Sequence, residues 1–221
     1  MLLHAAGRED LAVLLMLMME CYCRPGEPLR IRCCDMVEGD SSQRGLQAAA
    51  ILLHPFECGI PSKNQEYDQT VLLDLPRHAA LTTALVRMAR GRHPHALLFE
   101  RAPPTLRPIM NKLAEALLLE GLGAPHPYRL RHTGASHDFV SKARTLEQIQ
   151  KKGRWRDPRS LRKYEHGGRM NELLQRLSPE QRAHARSCDA LLPSVFLRQR
   201  SASTCPWLTQ CSWSSLQALL R

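Results

Sequence analysis

Apolar residues are distributed along the chain in two regimes. From Leu11 to Tyr22 nearly every position is apolar (LAVLLMLMM, then a glutamate, then CY). That density on all sides predicts a buried helix, ended by the turn signal RPGEP at Arg24 to Pro28. Shorter apolar runs follow. LRIRCCDMV from Leu29, the piece from Ala48 to Leu53, and TVLLDL from Thr70 to Leu75 read as strands. Between the last two, the polar stretch IPSKNQEYDQ reads as a hairpin tip carrying Lys63, which together predicts a small antiparallel sheet.

Beyond Pro76 the spacing becomes helical. ALTTALVRMARGR places Leu81, Leu85 and Met88 on one face, and LRPIMNKLAEALLLEGLG places Ile109, Leu113 and Leu117 at steps of four before a glycine. YRLRHTGASHDF, from Tyr128, is a helix entrance rich in positive charge. Thr145 with Gln148 forms a capping box for LEQIQKK, which Gly153 stops. Asp157 before Pro158 suits a helix start, placing Tyr164 about two turns in, with Leu161 one turn before it, until Gly167 and Gly168 break the helix. From Ser187 periodicity weakens, predicting a loosely ordered tail. The fold class that emerges is α+β, mainly α, with a small antiparallel sheet.

A chain of 221 residues with 43% hydrophobic positions can bury a substantial core. Its formal net charge of +10 favours a polyanionic partner, since clustered Lys and Arg displace condensed counterions from nucleic acid. A membrane is disfavoured: the Leu11 run is well short of the roughly 20 residues that span a bilayer. Glu9 and Asp10 precede it where a secretory signal would carry positive charge. The eight cysteines therefore point to reduced thiols in an intracellular, reducing compartment. Cys21, Cys23, Cys33 and Cys34 lack the spacing of a zinc knuckle and read as small buried hydrophobes, so neither metal nor other cofactor is expected.

The charge is concentrated. Arg129 to Arg169 holds twelve Lys or Arg against four Asp or Glu, a local +8. By itself this is a solvated basic face. Yet five short motifs fall in one order: RPGE at Arg24, SK at Ser62 and Lys63, RLRHT at Arg129, GRW at Gly153, and tyrosine, any residue, histidine from Tyr164. That order and spacing resemble the catalytic domain of the tyrosine recombinase family, the phage-integrase-like DNA strand-transfer enzymes, over about Leu11 to Leu177. PSKNQEYDQTVLLDLP and GRWRDPRSLRKYEHGG look most like the branch found in eukaryotic mobile elements, which would imply a nuclear location.

The resemblance implies a helical catalytic domain over residues 1–180, without the N-terminal clamp domain of the family, followed by the tail over 187–221. It implies DNA strand cleavage and rejoining through a covalent 3′-phosphotyrosyl intermediate on double-stranded DNA, and assembly as a homo-oligomer, a tetramer by analogy. Residue by residue, Tyr164 matches the nucleophile, and Arg24 and Arg131 match the arginines that hold the scissile phosphate. Lys63 matches the lysine that protonates the leaving 5′ hydroxyl, and Glu27 a supporting acid. Trp155, nine residues before Tyr164, stands where the family has histidine or tryptophan. Tyr128 replaces the histidine usual three residues before Arg131, a proton carrier exchanged for a group that mostly donates. His132 is a different position and takes no role in this reading. Arg129, Arg154, Arg156, Arg159, Arg162 and Lys163 are the expected DNA-binding cations.

The types suit the chemistry. In-line attack gathers negative charge on the non-bridging oxygens, to which guanidinium groups offer fixed donors. A phenol with an ordinary pKa near 10 needs a base or a positive setting, and the cations around Tyr164 are expected to supply the latter. Two other readings share these residues: a non-catalytic DNA-binding remnant of a mobile-element recombinase, and a type IB topoisomerase-like enzyme.

Overall fold

The computed structural model describes the chain apart from residues 44–46, 120–121, 124, 165–166, 202–213 and 221; among helical residues, the side chains of Lys163 and of residues 167–170 and 214–215 are also outside the description. Helices dominate. A short α1 (Leu2–Ala5) leads into α2 (Glu9–Glu20), whose Leu11, Val13, Leu14, Leu17 and Met18 are fully buried. The expected all-round apolar helix is therefore central to the core. No helix among the described residues is long and apolar enough to cross a membrane.

The sheet has three antiparallel strands in sequence order: β1 (Met36–Val37), β2 (Ala49–Leu53) and β3 (Gln69–Leu73). Met36 pairs with Ile51, and Ala49 through Leu53 pair with Leu73 back to Gln69. Alternation sends Ala49, Ile51, Leu53, Val71 and Leu73 into the core and leaves Leu72 exposed. The expected first strand, however, is mostly absent. Pro28–Arg30 and Cys33–Asp35 are 3₁₀ turns, the second held by the Asp35 carboxylate, which accepts from the Arg32 amide at 2.8 Å. Cys21, Cys23 and Cys33 are buried, and Cys34 is exposed.

Four helices follow with little surprise in position: α3 (Ala79–Ala89), α4 (Arg107–Ala116), α5 (Pro127–Val140) and α6 (Leu146–Gly153); α7 (Gly167–Gln175) is unexpected, since it begins at the glycine pair read as a break. The Thr145–Gln148 capping box opens α6 as expected. Helix α4 stops short of the predicted end because Leu118 takes a left-handed backbone (φ 54°). Pro158 to Tyr164 is a 3₁₀ helix rather than α, with Asp157 Oδ1 accepting from the Arg159 amide at 2.8 Å. In that geometry residues three apart eclipse, so Leu161 and Tyr164 share a buried side.

The loose tail expected from Ser187 needs correction where it is described, residues 202–213 lying outside the described residues. Helix α8 (Pro179–Phe196) runs through that point; Val195 and Phe196 are buried, and Arg87 donates to the Phe196 carbonyl at 2.8 Å. Further on, α9 (Ser214–Leu220) packs on α4, with Leu216 fully buried beside Leu2 and Ala116.

Helices α2 and α5 cross closely. A Cβ built on Gly134 would lie 1.9 Å from the Met19 carbonyl oxygen, so only glycine permits the approach. This contact fixes the entrance of α5, with Arg131, against the end of α2 and the turn after it.

Candidate active site

Three stretches far apart in sequence meet at the α2–α5 crossing. The chain leaves α2 through Tyr22, which has a left-handed backbone (φ 48°), and turns through Arg24 and Glu27. From α5 comes Arg131, 1% exposed. From the end of α6 comes the GRW motif, and its three residues have separable jobs. Trp155 lies flat over Gly153, where a Cβ would meet the indole at 1.7 Å. Arg154 caps α6 in the left-handed region (φ 54°) and turns the chain back.

Arg131 is gripped from several sides. Its two terminal nitrogens donate to the carbonyl oxygens of Tyr22 and Gly153, and its guanidinium carbon sits 4.4 Å above the Trp155 ring. Glu27, 5% exposed, gathers the other two guanidinium groups: Arg24 Nη1 at 2.8 Å, the Arg24 amide at 2.6 Å and Arg154 Nη2 at 2.6 Å. His54 Nε2 is 3.8 Å from the same carboxylate. Two guanidinium groups thus share one carboxylate, which also acts on the charge of the third, Arg131. Burial, followed by repulsion from Arg154, pulls the pKa of Arg131 down to about 10, with Glu27 opposing and Arg24 adding to the fall. Arg131 still carries its charge at neutral pH. The Nε atoms of Arg131 and Arg154 are buried and find no hydrogen-bond partner among the described residues. Buried donors of that kind are costly unless something accepts from them, and the local charge excess selects an anion.

Tyr164 belongs to the same cluster. It packs with Tyr22, Ala135, Ile149 and Leu161, its ring 5.5 Å from that of Trp155. At 2% exposure its hydroxyl faces the Nδ1 of His132, with which it hydrogen-bonds. The expectation that surrounding cations favour the phenolate is overturned for this resting arrangement. Arg156, Arg159 and Arg162 are exposed, and burial, only partly opposed by Arg131, pushes the phenol well above its ordinary value. Desolvation wins because the charged form loses more hydration than one nearby guanidinium returns.

The remaining expected residues are more scattered. Tyr128 is 37% exposed and meets the ring of His132 edge-on, centroids 4.9 Å apart. Lys63 is exposed in the loop between β2 and β3, and none of the described contacts links it to the arginine cluster. The tip itself is ordered by Ser62, whose hydroxyl accepts from the amides of Asn64 and Glu66 at 3.3 and 3.2 Å. Arg129 is exposed at the start of α5 and, with Arg156, Arg159 and Arg162, presents charge to solvent. The Lys163 side chain and His166 fall outside the described residues. Sequence reasoning missed Tyr22 and passed over His132; the first carries no motif signal, and the second stands in RLRHT beside a residue that does.

A buried charge network backs the site. Asp138, on α5, accepts from the Tyr22 hydroxyl and from Arg77, and Arg144 Nε is 3.2 Å away. Burial would raise its pKa, but His137, Tyr22 and Arg77 hold it well below the carboxylate range. No protein-family profile, curated protein or solved structure matches the chain.

Proposed function

We propose that the protein cleaves and rejoins DNA strands through a covalent phosphotyrosyl link to Tyr164, as the motif order suggests. The observation that carries this reading is the convergence of Arg24, Arg131, Arg154 and Tyr164 on the α2–α5 crossing, although Arg24 and Tyr164 lie at opposite ends of the described motifs. Buried guanidinium N–H groups without acceptors among the described residues are suited to non-bridging phosphate oxygens, and fixed donors of this kind stabilise charge that develops in the transition state. Arg129, Arg156, Arg159 and Arg162 supply exposed, sequence-independent attraction for the duplex. A homo-oligomer on DNA, a nuclear location and a role for Lys63 belong to the same proposal.

A second reading, DNA binding without cleavage, is favoured by one observation: Tyr164 is 2% exposed, with its hydroxyl turned to His132. Incubation with nicked duplexes of randomised sequence, followed by denaturation and capture of protein-linked DNA, separates the two. Strand transfer requires a covalent adduct that Tyr164→Phe abolishes. Retention of duplex by the wild-type protein without any adduct would establish the binding-only reading.

A further inference from the structure

We propose that His132 is the proton acceptor for Tyr164, a role that the motif order assigns to position 128 and that Tyr128 cannot fill. The inference rests on the strand-transfer reading above. Its basis is geometric. His132 Nδ1 is hydrogen-bonded to the Tyr164 hydroxyl, across 32 residues of sequence and two different elements. The imidazole is held on two sides. It stacks on Trp155 at 6.2 Å with an interplanar angle of 22°, and it receives the edge of Tyr128 at 4.9 Å. Among the described residues, Tyr128 from its own helix, Tyr164 from the 3₁₀ segment and Trp155 from the turn after α6 face it.

The direction of the hydrogen bond follows from burial. A phenol whose pKa is raised stays protonated, so its O–H donates and Nδ1 accepts, leaving the imidazole proton on Nε2. In the chemical step the electron pair of Tyr164 Oη forms the bond to phosphorus while its proton passes to His132 Nδ1. The bond from phosphorus to the 5′ oxygen breaks, and that oxygen leaves with its electron pair and takes a proton from the Lys63 ammonium, the donor that the strand-transfer reading assigns. Resealing reverses each transfer. Tyr128, displaced one helical turn from His132, keeps the ring in plane instead of handling the proton.

Two measurements on the full chain test this. In ¹⁵N NMR, Nδ1 of His132 should show the unprotonated, hydrogen-bonded type at neutral pH and should move in Tyr164→Phe; a protonated Nδ1 would overturn the assignment, whatever the protein does to DNA. In adduct formation on nicked duplex, His132→Asn keeps a polar acceptor near the Nδ1 position but no usable base, and the rate should fall about 10²- to 10⁴-fold. A rate for His132→Asn within a few-fold of wild type, with Tyr164→Phe inactive, would overturn the inference and leave strand transfer standing. Adduct that survives Tyr164→Phe, or a wild-type protein that forms none, would overturn strand transfer itself.

Discussion

Replacing Glu27 isolates the electrostatics of the site from its chemistry. The carboxylate holds Arg24 and Arg154 at 2.8 and 2.6 Å and also opposes the loss of charge on Arg131. Unit charges about 4 Å apart attract by about 4 kcal/mol at an effective dielectric of about 20. Two such partners are offset by the desolvation of the carboxylate, and breaking comparable buried pairs costs about 3–5 kcal/mol. Glu27→Gln keeps the shape and one acceptor, so about 3 kcal/mol is expected, near the lower end of that range. With a urea slope of about 1–3 kcal/mol per molar, the unfolding midpoint should fall by about 1–3 M. The stronger test is rescue. With the carboxylate neutralised, Arg24 and Arg154 lose the counter-charge they share among the described residues, and an oxyanion that binds between the guanidinium groups restores it. Sulfate or inorganic phosphate at about a hundred times its dissociation constant would return about 2.7 kcal/mol. Urea unfolding is therefore measured for both proteins in sulfate and in chloride at matched ionic strength. A variant as stable as wild type, or one that gains no more from sulfate than from chloride, would refute the argument that these guanidinium groups form an anion site.

Two further outcomes concern the scaffold. Gly134→Ala should destabilise by about 1–3 kcal/mol or more and lower the unfolding temperature, because the added methyl meets the Met19 carbonyl at 1.9 Å and α2 must shift from α5; an unchanged transition would mean that the crossing is looser than described. Asp138→Asn should cost about 3–5 kcal/mol at neutral pH, since it leaves Arg77 and Arg144 facing a neutral amide. The folded carboxyl pKa lies below its unfolded value, so the wild-type advantage is complete above roughly pH 4 and fades as pH falls further toward the folded value. Urea midpoints of both proteins from pH 7 to pH 2 check this; a gap that persists unchanged at the acid end would contradict it.

The parts of the fold legible in the sequence are those where one physical signal acts alone. Continuous apolar density marks α2, short apolar runs on either side of a polar tip mark β2 and β3, and paired side-chain and backbone bonds mark the start of α6. Misreadings occur where a tertiary contact overrides a local pattern. LRIRCCDMV alternates like a strand, but the Asp35 carboxylate bonds Arg32 through both its amide and its side chain and closes a turn. The leucine run after Ala116 looks like continuing helix, yet Leu118 is left-handed and 69% exposed. Past Ser187 the weak periodicity suggested a loose segment, whereas α8 is kept helical and docked at its end by Val195, Phe196 and the Arg87 contact to the Phe196 carbonyl.

Within the candidate site the same division holds, and Tyr22 shows why. Arg24, Arg131, Trp155 and Tyr164 could be picked out because they fall in motifs whose order resembles the recombinase family, and their types suit phosphate chemistry. Tyr22 lies in an apolar run and looks like core. Its carbonyl, however, receives Arg131 and lies 3.4 Å from Arg154 Nη2, its ring packs 6.0 Å from Trp155, and its hydroxyl donates to Asp138. One residue therefore ties the guanidinium cluster to the buried charge network behind it. The left-handed backbone at Tyr22 is what aims that carbonyl, a local cost that the surrounding contacts sustain. Backbone direction is set by packing on both sides of the turn, so no reading of residue types alone would have found it.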